Sequence, residues 1–83
     1  MLMSFTMKQV KLTRHAKNRM RLHVITESEV VAAIEKHEFL EPSSGDRINV
    51  WIKTPDKFLR VTYKEEKDRI LVITAVKKKT GWR

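Results

Sequence analysis

At Pro42-Ser43-Ser44-Gly45-Asp46 the hydrophobic period of this 83-residue chain changes from helical to twofold, which restricts the fold to helices followed by sheet. Upstream, Lys8 to Leu12 alternates and predicts a short strand with Val10 and Leu12 on one side. Thr13 can cap a helix running to about His23, with Ala16 and Met20 turned inward. Thr26-Glu27-Ser28-Glu29 is a capping box: the Thr26 hydroxyl accepts from the third amide and Glu29 reaches back to the cap. The helix that follows carries Val30, Val31, Ala33 and Ile34 and is expected to end near His37 or Glu38, before Pro42.

Past the turn, Ile48, Val50 and Ile52 alternate with Asn49, Trp51 and Lys53, and Thr54-Pro55-Asp56-Lys57 has turn chemistry. Leu59, Val61 and Tyr63 then alternate with Arg60, Thr62 and Lys64, and Arg69 to Val76 is apolar on both sides, as a covered strand is. The expected fold is α+β, in the order β-α-α-β-β-β, with two helices on one face of an antiparallel meander. The chain length suits a single domain over residues 1–83, with residues 1–7 expected to fray and 77–83 forming a basic tail.

Charge is distributed in blocks. Residues 1–26 hold six basic and no acidic side chains, residues 27–46 one basic and six acidic, and residues 47–83 eleven basic and four acidic. The net charge of +8 therefore comes from two segments that can meet on one face, and such a face suits nucleic acid. With no cysteine, disulfides, thiolate catalysis and cysteine-based zinc sites are excluded. The opening apolar residues are too few for a signal peptide and no run reaches membrane-spanning length, so the expected location is cytoplasmic, away from membranes. Two glycines cannot build a phosphate-cradling loop, and no serine nucleophile motif occurs. His37 with Glu38 and Glu41 lacks the three or four converging ligands of a metal site, so no metal or cofactor is expected, and Glu35, Glu38, Glu41 and Asp46 read as a solvated acidic surface or a partner contact.

His15, Arg19 and His23 recur at intervals of four, so a helix places two imidazoles and a guanidinium along one flank. No acidic residue precedes Glu27, and neighbouring cations favour the neutral, base-competent imidazole. Imidazole beside guanidinium is what metal-independent RNA cleavage requires: one moves a proton, the other stabilises charge at phosphorus. The competing reading of a histidine here is a helix-flank side chain packed on the sheet and bonded to a carbonyl.

Leu12-Thr13-Arg14-His15-Ala16-Lys17-Asn18-Arg19-Met20-Arg21-Leu22-His23-Val24-Ile25-Thr26-Glu27-Ser28-Glu29-Val30 resembles the opening of a family of small bacterial and archaeal proteins. Its pattern is His-Ala, Arg-Met, then Arg-Gly-Ile with Ser or Thr, followed by acidic residues and Val. That family is similar to the RelE-type ribonuclease toxins of the barnase-EndoU-colicin-RelE group. The resemblance covers about 65 residues, Leu12 to Lys77. It implies a RelE-like fold and a metal-independent endoribonuclease attacking through the 2′-hydroxyl. It further implies the toxin half of a toxin–antitoxin pair, with RNA, ribosome-bound RNA included, and an antitoxin protein as partners. His15 and Arg19 become the principal site candidates, completed by Arg60 and Thr74 from the strands. His23 stands where the family has Arg, and Val24 where it has Gly, a residue that enters positive φ without penalty.

The strands add an independent expectation. Lys53, Arg60 and Lys64 can bind phosphates while Trp51 stacks on a base, with Arg14 and His23 extending the contact surface. The same face also reads as an exposed sheet kept soluble by lysines, with Trp51 partly covered. Two other functions fit the sequence: a non-catalytic RNA- or DNA-binding module of the same fold, and a protein-interaction domain using the acidic second helix.

Overall fold

The structure, a computed structural model, describes residues 9–81. The expectations for residues 1–7 and for Trp82 and Arg83 lie outside the described residues. The protein is α+β. Strand β1 (Gln9–Leu12), helices α1 (Arg14–His23) and α2 (Glu27–Lys36), and strands β2 (Phe39–Pro42), β3 (Arg47–Lys53), β4 (Phe58–Glu65) and β5 (Arg69–Lys78) follow in order. The strands form one mixed sheet in the order β1-β5-β4-β3-β2, with β1 parallel to β5 and every other pair antiparallel.

The expected order contains four strands, and the described residues form five. The additional one, β2, pairs Phe39 with Trp51 and Glu41 with Asn49. Its end at Pro42 had the look of a helix stop; Pro is equally at home at the end of an edge strand, where its missing N–H leaves no ladder bond unmade. Helix α2 accordingly closes at Lys36, and the backbone is extended at His37 (φ −59°, ψ 150°). Gly45, at φ 62°, supplies the left-handed residue of the β2–β3 turn.

Both helix caps form as the sequence predicts. Thr13 Oγ1 accepts the Ala16 N–H at 3.0 Å and donates to the Ile73 carbonyl at 3.1 Å, tying the start of α1 to β5. The capping box of α2 is complete, Glu29 N–H to Thr26 Oγ1 at 3.1 Å and Thr26 N–H to Glu29 Oε1 at 2.9 Å. The core lies between the helices and one sheet face: Ala16 and Met20 from α1 and Val30, Ala33 and Ile34 from α2 meet Val50, Leu59, Val61, Tyr63, Ile70, Val72 and Ala75. Each fully buried Val or Leu in this set contributes about 1.5–3 kcal/mol relative to exposure.

Helix α1 lies along β5, while α2 covers β3 and β4. Strand β1 pairs with β5 only from Arg69 to Val72, and α1 continues along the remainder of that edge. A β-bulge sets Thr74 opposite Thr62 and Val72 opposite Tyr63, leaving Ile73 as the extra residue.

The α1–α2 connection stores strain. Val24 adopts φ 57°, ψ 56°, and the residue is 77% exposed. A β-branched residue in this left-handed region costs about 1–2 kcal/mol, and an exposed one has little packing to offset it. Val24→Gly is therefore expected to stabilise the protein by about 1 kcal/mol, less the small loss from a more flexible unfolded chain. Urea denaturation midpoints measure this; an unchanged or lower midpoint counts against the strain.

Candidate nucleic-acid interface

On β3 and β4 the apolar sets face the helices, which turns the alternating polar set to the opposite face. There Trp51 lies across from Arg60 and Asn49 across from Thr62. The side chains form one connected network. Thr62 Oγ1 donates to Asn49 Oδ1 at 2.6 Å, Asn49 Nδ2 donates to Glu41 Oε2 at 3.2 Å, and Trp51 Nε1 donates to the same oxygen at 3.1 Å. Those two bonds, with the Arg60 charge nearby, hold the Glu41 carboxyl below the usual carboxylate range.

Arg60 completes the arrangement. Its guanidinium carbon sits 5.8 Å from the centre of the Trp51 ring, within cation–π range, and its Nε is buried without a hydrogen-bond partner. Among the described residues it makes no ion pair. A planar cation is thus fixed over an indole, the indole is fixed by an ionised carboxylate, and part of the cation's donor capacity is unused. Trp51 itself is 8% exposed, so little of its ring faces solvent. Val76, the cross-strand neighbour of Arg60, is buried on this same face.

The other expected contacts on this face are looser. Lys53 Nζ lies 5.5 Å above the Phe58 ring, and Lys64 Nζ lies 3.9 Å from Asp46 Oδ2 in a largely solvated pair. Thr74 pairs with Thr62 across the strands and is partly exposed. Gly81 packs against the Phe58 ring so closely that a Cβ there would overlap it.

The histidine stripe does not act as a unit. Residues four apart on an α-helix are rotated by about 40°, so the row drifts around α1. His15 is exposed, Arg19 is partly buried, and His23 turns in against β5, where its Nδ1 accepts the Lys77 N–H at a long 3.4 Å. Burial, then the Arg19, Lys57 and Lys77 charges, lower the His23 pKa and hold it neutral. The effect of cationic neighbours expected along the stripe is therefore found at His23, which also takes the packed, backbone-bonded role of a structural histidine. Arg14 is exposed in the first turn of α1, which contains no acidic residue. Lys17 lines a depression with β1 and Glu27; His15 projects about 160° away from it around the helix, on the flank turned from α2.

The neutral His23 makes stability pH-dependent. The unfolded imidazole takes a proton near 6.5, whereas the folded one resists to lower pH. The unfolded state thus binds more protons in that window, so this contribution is complete above 6.5 and is lost as pH falls toward the depressed folded value. Between about pH 7.5 and about pH 5.5, the wild-type urea midpoint is expected to fall more than that of His23→Phe, which cannot titrate. Parallel pH profiles would contradict the assignment.

Several contributors escaped the sequence reading. Glu41 and Asn49 anchor the outer network, with the partly exposed Glu41 tied to Trp51 and Asn49. Lys57 and Lys77 form the cationic shell of His23, and Lys77 Nζ also pairs with Glu29 at 3.8 Å. The Asn49/Trp51 alternation was a signal for the network; the Glu41 position required recognising β2. His37 Nδ1 donates to the Ile34 carbonyl at 3.0 Å, and among the described residues no three potential ligands cluster to hold a metal. No described helix is long and apolar enough to cross a membrane. No protein family, curated protein or solved structure matches this chain.

Proposed function

We propose that this protein is a RelE-type, metal-independent endoribonuclease whose RNA lies on the outer sheet face and passes around the β5 edge, along which α1 packs on the opposite face. The observation that carries the proposal is Arg60: a partly exposed guanidinium held over Trp51, with no ion pair among the described residues, is a preorganised phosphate ligand. Lys53 and Lys64 extend the positive strip along the same face. The first turn of α1 adds Arg14, and a phosphate there would relieve the repulsion between this cation and the helix dipole, next to the exposed His15. In this reading His15 moves the proton of the 2′-hydroxyl or of the leaving group, Arg19 holds the reacting phosphate, Arg60 holds another phosphate of the same strand on the outer face, and Thr74 lines the approach. The biological setting is the toxin half of a toxin–antitoxin pair.

One observation favours a second reading, a non-catalytic RNA-binding module. His23 is engaged by β5, which leaves His15 as the single exposed imidazole of the stripe, where cleavage needs both a base and an acid.

The two are separated by incubating purified protein with mixed RNA in the presence of a chelator and measuring binding over a salt series. New fragments ending in 2′,3′-cyclic phosphate support the ribonuclease. Binding that weakens steeply with salt, without fragments, leaves the binding module; a flat response removes both.

A further inference from the structure

At the far end of the outer face, the β2–β3 turn and the ends of β4 and β5 enclose a depression of about 450 Å³. Its floor is apolar, made by Leu71, which pairs with Lys64 across the strands, and by Ile73, the extra residue of the bulge. Its rim is polar and carries both signs: Arg47 and Lys64 donate, while Asp46 and Ser44 accept. We propose that this depression is a nucleobase subsite for the RNA strand whose phosphate lies on Arg60; the inference rests on the reading of this face as an RNA surface.

The chemistry separates a base from other ligands. A phosphate would have no use for an apolar floor, and Asp46 would offset part of the attraction of Arg47 and Lys64. An aliphatic side chain would leave the charged rim unmatched. A nucleobase has a flat apolar face to lie on Leu71 and Ile73, and an edge bearing both donors and acceptors to meet Asp46, Ser44, Arg47 and Lys64. The volume falls within the range of small-ligand sites. Position fits as well. Arg60, Thr62 and Lys64 alternate along one face of β4, so Lys64 stands about 13 Å from Arg60. The base in the depression therefore belongs to a neighbouring nucleotide and not to the one whose phosphate Arg60 holds. Leu71 and Ile73, two residues apart, share the outer face by simple alternation, and the bulge after them returns Thr74 and Val76 to that same face.

The test uses the full chain and a short single-stranded RNA with 2′-O-methyl riboses, which cannot be cleaved, bearing one abasic nucleotide moved along the strand. In the wild type, one position of the abasic nucleotide is expected to weaken binding about tenfold, the rest much less. The double variant Leu71→Ser/Ile73→Ser, matched for folding by thermal unfolding, should lose about tenfold for intact RNA and nothing more at that position. The wild-type scan alone decides the matter if the double variant fails to fold. An abasic nucleotide that costs the same at every position, with binding still dependent on Arg60, overturns the subsite and leaves the RNA surface standing. No binding of the intact strand even at low salt overturns the RNA surface, and the subsite with it.

Discussion

Arg60→Ala is expected to weaken single-stranded RNA binding by roughly 10- to 150-fold, the range for losing a hydrogen-bonded charge contact. The effect should be large because the cation is already in place. The Trp51 indole supports it, Glu41 fixes the indole, and no ion pair among the described residues competes for it. The salt dependence of binding should fall by about one phosphate contact. Arg60→Lys keeps the charge but loses the planar stack and the fork of donors, and should recover only part of the affinity. Glu41 supplies the sharper control. Glu41→Gln retains an oxygen for Trp51 Nε1 and Asn49 Nδ2 while removing a negative charge that competes with phosphate for Arg60, so affinity should hold or rise. Glu41→Ala removes the acceptor, leaves two donors of the network unpaired at a cost of about 1–3 kcal/mol, and should lower affinity. Equal behaviour of the two Glu41 variants, or wild-type affinity in Arg60→Ala, would discard the proposed cradle.

The parts of the fold readable in the sequence are those specified by local signals. Thr13, the Thr26–Glu29 box and the alternation of Ile48 to Ile52 and Leu59 to Tyr63 each act within a few residues, and each appears where its chemistry places it. Strand β2 has no such autonomy. Phe39-Leu40-Glu41-Pro42 spans four residues, with two charged or proline positions at its end, and becomes a strand through pairing with β3. The site divides along the same line. Alternation placed Trp51, Lys53, Arg60 and Lys64 on one face, but the burial of Trp51 beneath Arg60 depends on Glu41 in the unforeseen strand. The histidine stripe was legible as spacing only. The slow rotation of an i, i+4 row around the helix, together with the position of α1 at the β5 edge, decides that His23 is packed and His15 is free of the sheet.

His15→Ala is expected to reduce RNA cleavage about 10²- to 10⁴-fold, the contribution of a positioned general acid–base group. Binding to the non-cleavable strand should be nearly unchanged, because the phosphate contacts belong to Arg60, Arg19 and the lysines. His23→Phe tests the division of roles from the other side: with its Nδ1 directed to the Lys77 N–H, His23 supports α1 against β5, so the variant should lose stability yet cleave at close to the wild-type rate once folding is matched. Arg19→Ala should affect both properties in opposite senses. Losing a phosphate ligand weakens cleavage, while removing one of the three cations that hold His23 neutral raises the pKa of that imidazole and reduces the loss of stability on acidification. A purely structural Arg19 would show the second effect without the first. Should His23→Phe abolish cleavage while His15→Ala leaves it intact, the proton-transfer role passes to the packed imidazole, and the flank of α1 that carries His15 ceases to be part of the site.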